Sequence, residues 1–395
     1  MAVNNLTVEQ VSSIVNAVVA QAGGSAALAN INTGSFTTVA QTALQMGYDP
    51  LTTAISQVLS RTIFSIRPYS SMFSGIIKEG DKYGNWKRKI NIVDSGATDS
   101  PRWTLTNGAS VDPFKVNKPK IVQTNFYGSV EWAAEWLTVY DSQLDVAFSS
   151  PEEFGQFVTL LMTNMSDQRE MQLENMARAC IANLIGGIIS GGNKYQIVKL
   201  LTEYNTLTGL TLTATSVYAP DNYPAFMKWV YSKMASVAAM LRNRTSIFHT
   251  NITSGTVSGN IMRHTPYEML KAYILADVRY QTENRVLADT YHDTFLKWAD
   301  VDTVSFWQSV QKPDTITVTP SYLATDGTIT TAEEELTQPS IFALMFDDQA
   351  MGVFPNNERI NTMRNDIGEY TNFVPRGNYT YINDFTENAV VFLLA

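Results

Sequence analysis

The pattern of apolar and polar positions changes character several times along the chain. Near the start, Val8, Val11, Ile14, Val15 and Val18 recur at helical spacing behind the capping box Thr7-Val8-Glu9-Gln10, and Gly23-Gly24 ends the segment. After a stretch rich in Ser, Thr, Ala and Asn, Asp49-Pro50 opens a second helix with Leu51, Ile55, Val58 and Leu59 on one face. Helices joined by small residues in this way form either an arm lying on another surface or an ordinary helical subdomain. From Lys78 to Lys120 the period shortens to that of strands. Trp86 and Ile90 to Val93 read as one strand, Ile121 to Trp132 as its return, with Asp94-Ser95-Gly96 and Thr106-Asn107-Gly108 as turns.

The clearest helix start follows. Ser150 can cap, Pro151 suits the first helical position, and Glu153 completes the box. Phe154, Val158, Leu161, Met165, Met176, Cys180 and Leu184 then share a face, interrupted by the polar run from Ser166 to Glu170, up to Gly186-Gly187. The spacing predicts a helix of about 35 residues and roughly 50 Å, a strut crossing a subunit. Tyr195 to Ser340 reads as a separate α+β domain, with a helix over about 224–242 and another from Thr265-Pro266-Tyr267-Glu268 to about Tyr280. Thr315 to Thr319 alternates like a strand, Asp326-Gly327 is a turn, and Glu333 to Glu335 is a solvated tip. The final segment holds two apolar runs, Ile341 to Phe346 and Ala389 to Leu394, around a polar stretch with Arg359, Arg364, Arg376 and Tyr379 to Tyr381. An exposed apolar strand at the end would invite aggregation, so this one is expected inside a sheet.

Composition narrows what such a chain can do. At 395 residues and 45% hydrophobic it can bury a large core. The net charge of −9 opposes a task of neutralising phosphates, and any DNA contact is expected to be weak. Against that background, the segment from Lys78 to Lys120 stands out, with nine of the 28 basic residues and only five acids. A two-stranded hairpin is not stable alone in water. Its strands must lie on another surface, either an acidic neighbouring copy of the chain or the hairpin's own domain. Lys82, Trp86, Lys87, Arg88, Lys89, Arg102 and Trp103 are the candidate contact residues for a neighbouring subunit. The N-terminus lacks the charge and apolar core of a secretory signal, and no apolar run is long enough to span a membrane.

No constellation of catalytic residues emerges. His249, His264 and His292 lack metal-ligand spacing and read as surface or cap residues, and Cys180, the single cysteine, reads as a buried thiol. The glycine-rich Gly187 to Lys194 follows a helix where a phosphate loop needs a strand. Asp300, Asp302, Asp347 and Asp348 lack the spacing of a calcium loop. Glu131 and Glu135, between Trp132 and Trp136, leave a carbohydrate-active enzyme as a lesser alternative. No catalytic, cofactor-binding or metal residues are assigned.

Arg364, the Tyr379-Thr380-Tyr381 alternation, Asn383-Asp384-Phe385 and the closing apolar strand resemble the C-terminal end of major capsid proteins of tailed bacteriophages, and most of all those of small short-tailed phages. The order of elements is similar to the Hong Kong 97-like capsid fold, an α+β fold. That resemblance implies an N-terminal arm over 1–78, an extended β-hairpin loop over 79–130, a peripheral domain with spine helix over 131–199, an axial domain over 200–345, and C-terminal strands of the peripheral domain over 346–395. It further implies a self-assembling icosahedral shell around double-stranded DNA, located in the virion and assembled in the host cytoplasm. Portal and a separate scaffolding protein would be its partners, with no membrane. The hairpin begins too early for a fused scaffolding segment, and no immunoglobulin-like appendage is expected. A nanocompartment shell of the same fold is the alternative.

Overall fold

The computed structural model of the chain describes residue 16, residues 73, 75–80, 86–93, 110, 112, 114, 120–127, 130–133, 136–147, 151–252, 261–285 and 300–395. The two helices expected before residue 60, and the turns expected at 94–96 and 106–108, lie outside the described residues. In chain order the elements are β1 Trp86–Val93, β2 Lys120–Tyr127, β3 Val130–Ala133, β4 Leu137–Tyr140, α1 Asp141–Ala147, α2 Pro151–Gly191, β5 Ile197–Lys199, α3 Leu200–Thr208, α4 Tyr223–Leu241, β6 Leu270–Leu275, α5 Ala276–Arg285 and β7 Asp300–Val304. Then come β8 Ile316–Val318, β9 Ser321–Leu323, β10 Ile329–Thr331, β11 Leu336–Gln338, β12 Ile341–Asp347, β13 Met351–Asn365, β14 Tyr370–Asn383 and β15 Ala389–Leu393. The chain divides into two compact units, one comprising Met1–Asn85, Gly128–Met176 and Val353–Thr380, the other Trp86–Tyr127, Ala177–Gly352 and Tyr381–Ala395.

The first unit is built on the hairpin of β13 and β14, with β3 and β4 paired antiparallel along the far side of β14. These are the longest strands among the described residues, and they occupy the polar stretch between the two apolar runs, within the segment 346–395 where C-terminal strands are expected. Helix α2 enters this unit at Pro151. The run from Ser166 to Glu170, expected to interrupt its apolar face, continues that face instead. Ser166, Arg169 and Glu170 are buried, and Arg169 bridges Glu170 at 2.8 Å and Glu358 of β13 at 2.6 Å. A buried cation with two carboxylates can occupy a helix stripe that an apolar count does not recognise.

The second unit centres on a five-stranded sheet in the order β5-β15-β12-β6-β7, with β12 in the middle and all seven of its residues buried. The expected strands at 341–346 and 389–394 thus pair with each other, Leu344 opposite Val391. Among the C-terminal strands, β15 belongs wholly to this unit, while most of β14 belongs to the other. Helix α4 turns Phe226, Val230, Met234, Val237 and Leu241 inward at helical spacing, as the pattern predicts. The helix expected from Thr265 to Tyr280 is interrupted: Tyr267–Met269 makes a short 3₁₀ turn, β6 takes Leu270–Leu275 between β12 and β7, and helix resumes only at Ala276 in α5. Leu270, Ala272, Tyr273, Ile274 and Leu275 are all buried, and burial on both faces erases the alternation that would have marked a strand.

Two further expectations change. The return strand does not run on to Trp132; β2 ends at Tyr127 and β3 pairs with β14 instead. Helix α2 does not stop at Gly186-Gly187 but continues to Gly191, giving 41 residues and a length of about 60 Å. Those glycines serve close approach. A Cβ on Gly186 would lie 2.8 Å from Val318, and one on Gly187 would lie 2.4 Å from Phe385. The helix ends instead at Gly192, whose φ is +67°.

Candidate assembly interface

The basic hairpin pairs in full register, Trp86 opposite Tyr127 through Val93 opposite Lys120. Alternation along β1 then gives it two faces. One faces the loop between β14 and β15, the polar run Asp384, Phe385, Thr386, Glu387 and Asn388, every residue of which is buried. Buried polar groups need partners, and here the hairpin supplies them. The ammonium of Lys89 donates to Asp384 Oδ2 at 2.6 Å and also to Glu387 Oε1. Asn91, two residues along, donates to Thr386 Oγ1 at 3.5 Å and accepts from Arg263 at 2.6 Å. Arg263 in turn donates to the Thr386 carbonyl at 3.1 Å and lies 3.2 Å from Glu387.

The receiving loop is rigid in its own right. Asp384 Oδ1 accepts from the Thr386 N–H at 2.9 Å and from its hydroxyl at 2.6 Å, an Asx-type turn. Asn388 faces one ring nitrogen of His249 at 3.1 Å and donates to Thr265 at 3.1 Å, while the other His249 nitrogen donates to the Ile261 carbonyl at 2.7 Å. His249 is therefore a buried structural residue and not the surface or cap residue expected, and burial lowers its pKa. His264 is exposed, and His292 lies outside the described residues. Cys180 is buried, its thiol donating to Asn383 Oδ1 at 2.9 Å.

Burial pushes the Glu387 carboxyl above its ordinary range, opposed by the Lys89 and Arg263 charges and reinforced by Asp384. A carboxyl whose folded pKa is raised binds more protons in the folded state across that window. Its contribution to stability is therefore present below the ordinary carboxylate pKa and is lost as pH rises through the raised one. Glu387→Gln is accordingly expected to flatten a decline in melting temperature over that acidic window. Melting curves of both proteins from acid to neutral pH check this, and parallel profiles would contradict it.

The opposite face of β1 carries Arg88, exposed, and Ile90, 55% exposed. Of the other residues expected at a subunit contact, Trp86 and Lys87 lie in β1, while Lys82, Arg102 and Trp103 lie outside the described residues. The structure thus separates neighbours in sequence: Lys89 is bonded within its own chain, and Arg88 and Ile90 face outward. Asn91, Arg263 and Glu387 were not singled out from sequence, and Asp384 entered only with Asn383-Asp384-Phe385 in the capsid resemblance, with no contact assigned to it. The one available signal was the polar run from Asn383 to Asn388 set directly before an apolar strand.

Among the described residues, no group of three or more His, Cys, Asp or Glu side chains could hold a metal ion. Among them, too, no helix is long and apolar enough to cross a membrane. Glu131 lies in β3, opposite Asn378 of β14, and Glu135 lies outside the described residues.

The model of the Phi29-like phage major capsid protein family matches residues 15–393. No curated protein matches the chain. Among solved structures, a chain from the head fibre and inner core protein gp22 structure of native bacteriophage P68 is similar, with a TM-score of 0.54 and 12% identity over 82% of this chain and 85% of that one. A chain of the capsid structure of Staphylococcus phage Andhra is similar, with a TM-score of 0.51 and 12% identity over 82% and 84% of the two chains. At this identity the likeness is one of fold, an α+β capsid fold.

Proposed function

The chain belongs to the Phi29-like phage major capsid protein family and forms the multi-copy shell of a phage head; from that premise we propose that its basic β1–β2 hairpin joins neighbouring subunits. The observation that carries this reading is the division of labour on β1. Lys89 and Asn91 fix the hairpin to its own chain, and Arg88 and Ile90 are left facing solvent. A hairpin held on one face and presenting a cation beside an apolar side chain on the other is built to receive a second surface.

Within a Hong Kong 97-like architecture, residues 1–78 would be the arm and 79–130 the extended loop. Helix α2 would be the spine, with the β13–β14 hairpin in the peripheral domain. The five-stranded sheet and its helices would form the axial domain. Assembly proceeds in the host cytoplasm with portal and a separate scaffolding protein. The acidic chain makes only weak, non-specific contacts with the DNA inside, and its role is structural, without catalysis. The phage family favours a DNA-filled head over a nanocompartment enclosing enzymes.

Electron microscopy of the purified chain, with and without a scaffolding partner, tests the reading. Shells or rings are expected. Arg88→Glu should lower particle yield by about tenfold at fixed protein concentration with an unchanged circular dichroism spectrum. Undiminished yield would remove the hairpin from the contact, and a chain monomeric in every condition would overturn the shell reading for this hairpin altogether.

A further inference from the structure

The turn joining β13 to β14 holds an apolar side chain out in water on a rigid mount. Ile367 is 99% exposed. Beneath it, Asn365 Oδ1 accepts from the N–H groups of Ile367 and Gly368 at 3.1 and 2.9 Å, and Asn365 Nδ2 donates to the Tyr370 hydroxyl at 3.0 Å. Arg364 makes a forked pair with Asp141 at 3.0 and 2.8 Å and donates to Asp366 at 2.7 Å. The Asp141 N–H closes the set on the Glu369 carbonyl at 3.0 Å, and Glu369 itself takes the left-handed region at φ 51°. An apolar residue fixed in one exposed position loses little conformational freedom on binding, which is the condition for an interface anchor.

Charge identifies the occupant. Around the tip, the carboxylates of Asp141 and Asp366 share the guanidinium of Arg364, Glu369 adds a third acidic side chain, and Asp366 and Glu369 are exposed. The tip is therefore an isoleucine in an acidic setting. The outward face of β1 is its complement, an exposed Ile90 beside an exposed Arg88, within a segment that carries nine basic residues and five acidic ones.

We propose that the 366–368 tip of one copy docks on the outward face of the β1–β2 hairpin of a neighbouring copy, with Ile367 against Ile90 and Arg88 toward Asp366 and Glu369. This rests on the shell reading above and names the surface that receives the hairpin. The contact is heterologous, joining different patches on the two copies, so it can propagate around a local symmetry axis.

A cysteine pair tests it directly, because Cys180 is the only native cysteine and is buried. Shells of the Ile90→Cys/Ile367→Cys double variant, mildly oxidised, are expected to give a ladder of disulfide-linked subunits on non-reducing electrophoresis. The single variants and the unaltered chain are expected to stay monomeric. Shells of the double variant without a ladder would overturn the docking and leave the shell reading standing, as would dimers of Ile367→Cys alone, which would show two tips meeting. An unaltered chain that formed no shells would strike the reading itself. Charge exchange decides if the cysteine pair does not assemble. Arg88→Glu and Glu369→Arg should each raise the concentration needed for shells by about tenfold, and their combination should restore it. Failure of the combined variant to recover, with both singles folded, would sink the proposal.

Discussion

Asp384→Ala is expected to cost the subunit about 3–5 kcal/mol, the range for removing one partner of a buried ion pair, and to abolish most particle formation. The side chain is only 2% exposed and carries two loads. It neutralises Lys89 together with Glu387, and it fixes the Thr386 N–H and hydroxyl that hold the loop in shape. Alanine leaves Lys89 with Glu387 alone, a carboxyl already disfavoured by its burial and shared with Arg263. It also orphans a buried backbone donor, which is costly in itself. Asp384→Asn separates the two loads, since its amide oxygen can still accept from Thr386 while the charge is lost; about half the effect is expected. Urea denaturation of unassembled subunits gives the stabilities, and hydrogen exchange on β1 amides reports whether the hairpin has loosened. A change of less than about 0.5 kcal/mol, the usual level for surface substitutions, would show that the cluster does not hold the hairpin.

How far the chain was legible depended on how far apart its partners lie. Local signals worked where they were the controlling ones. Pro151 marked the start of α2, the spacing of Phe226 through Leu241 marked α4, and the apolar runs of β12 and β15 announced a buried pair. Non-local pairing overrode local signals elsewhere. Thr265-Pro266-Tyr267-Glu268 satisfies a helix start, yet the residues after it are taken by two neighbouring strands, one of them more than sixty positions along the chain. Gly186 and Gly187 look like a helix stop but admit Val318 and Phe385. No local feature of Lys89 distinguishes it from Lys87 or Arg88; its partners lie 295 and 298 positions away. Ile367 was passed over for a different reason. One isoleucine between turn formers carries no periodicity, and only the geometry reveals that it stands alone in solvent.

Leu344→Ala should be among the most damaging single changes in the second unit, at about 2–5 kcal/mol, because a buried leucine removed from a packed core loses its transfer energy and leaves a cavity. Leu344 is fully buried at the middle of β12, with Val391 on one side and Tyr273 on the other. A central strand hydrogen-bonded on both sides cannot shift to fill the gap without breaking register with β15 and β6 together, so the higher part of that range applies. Total stability of a domain is only about 5–15 kcal/mol, so the loss is a large fraction of what holds the subunit. Thr337→Ala in β11 is the matched control: Thr337 is an exposed strand residue whose hydroxyl meets that of Thr317, and a change within about 0.5 kcal/mol is expected. Thermal melts of both variants as unassembled subunits, followed by particle counts under assembly conditions, measure the two effects. Shell formation should fail for Leu344→Ala and persist for Thr337→Ala, since each contact in a shell needs a folded partner on both sides. Equal melting temperatures for the two would mean that the five-stranded sheet is not the core on which the subunit depends.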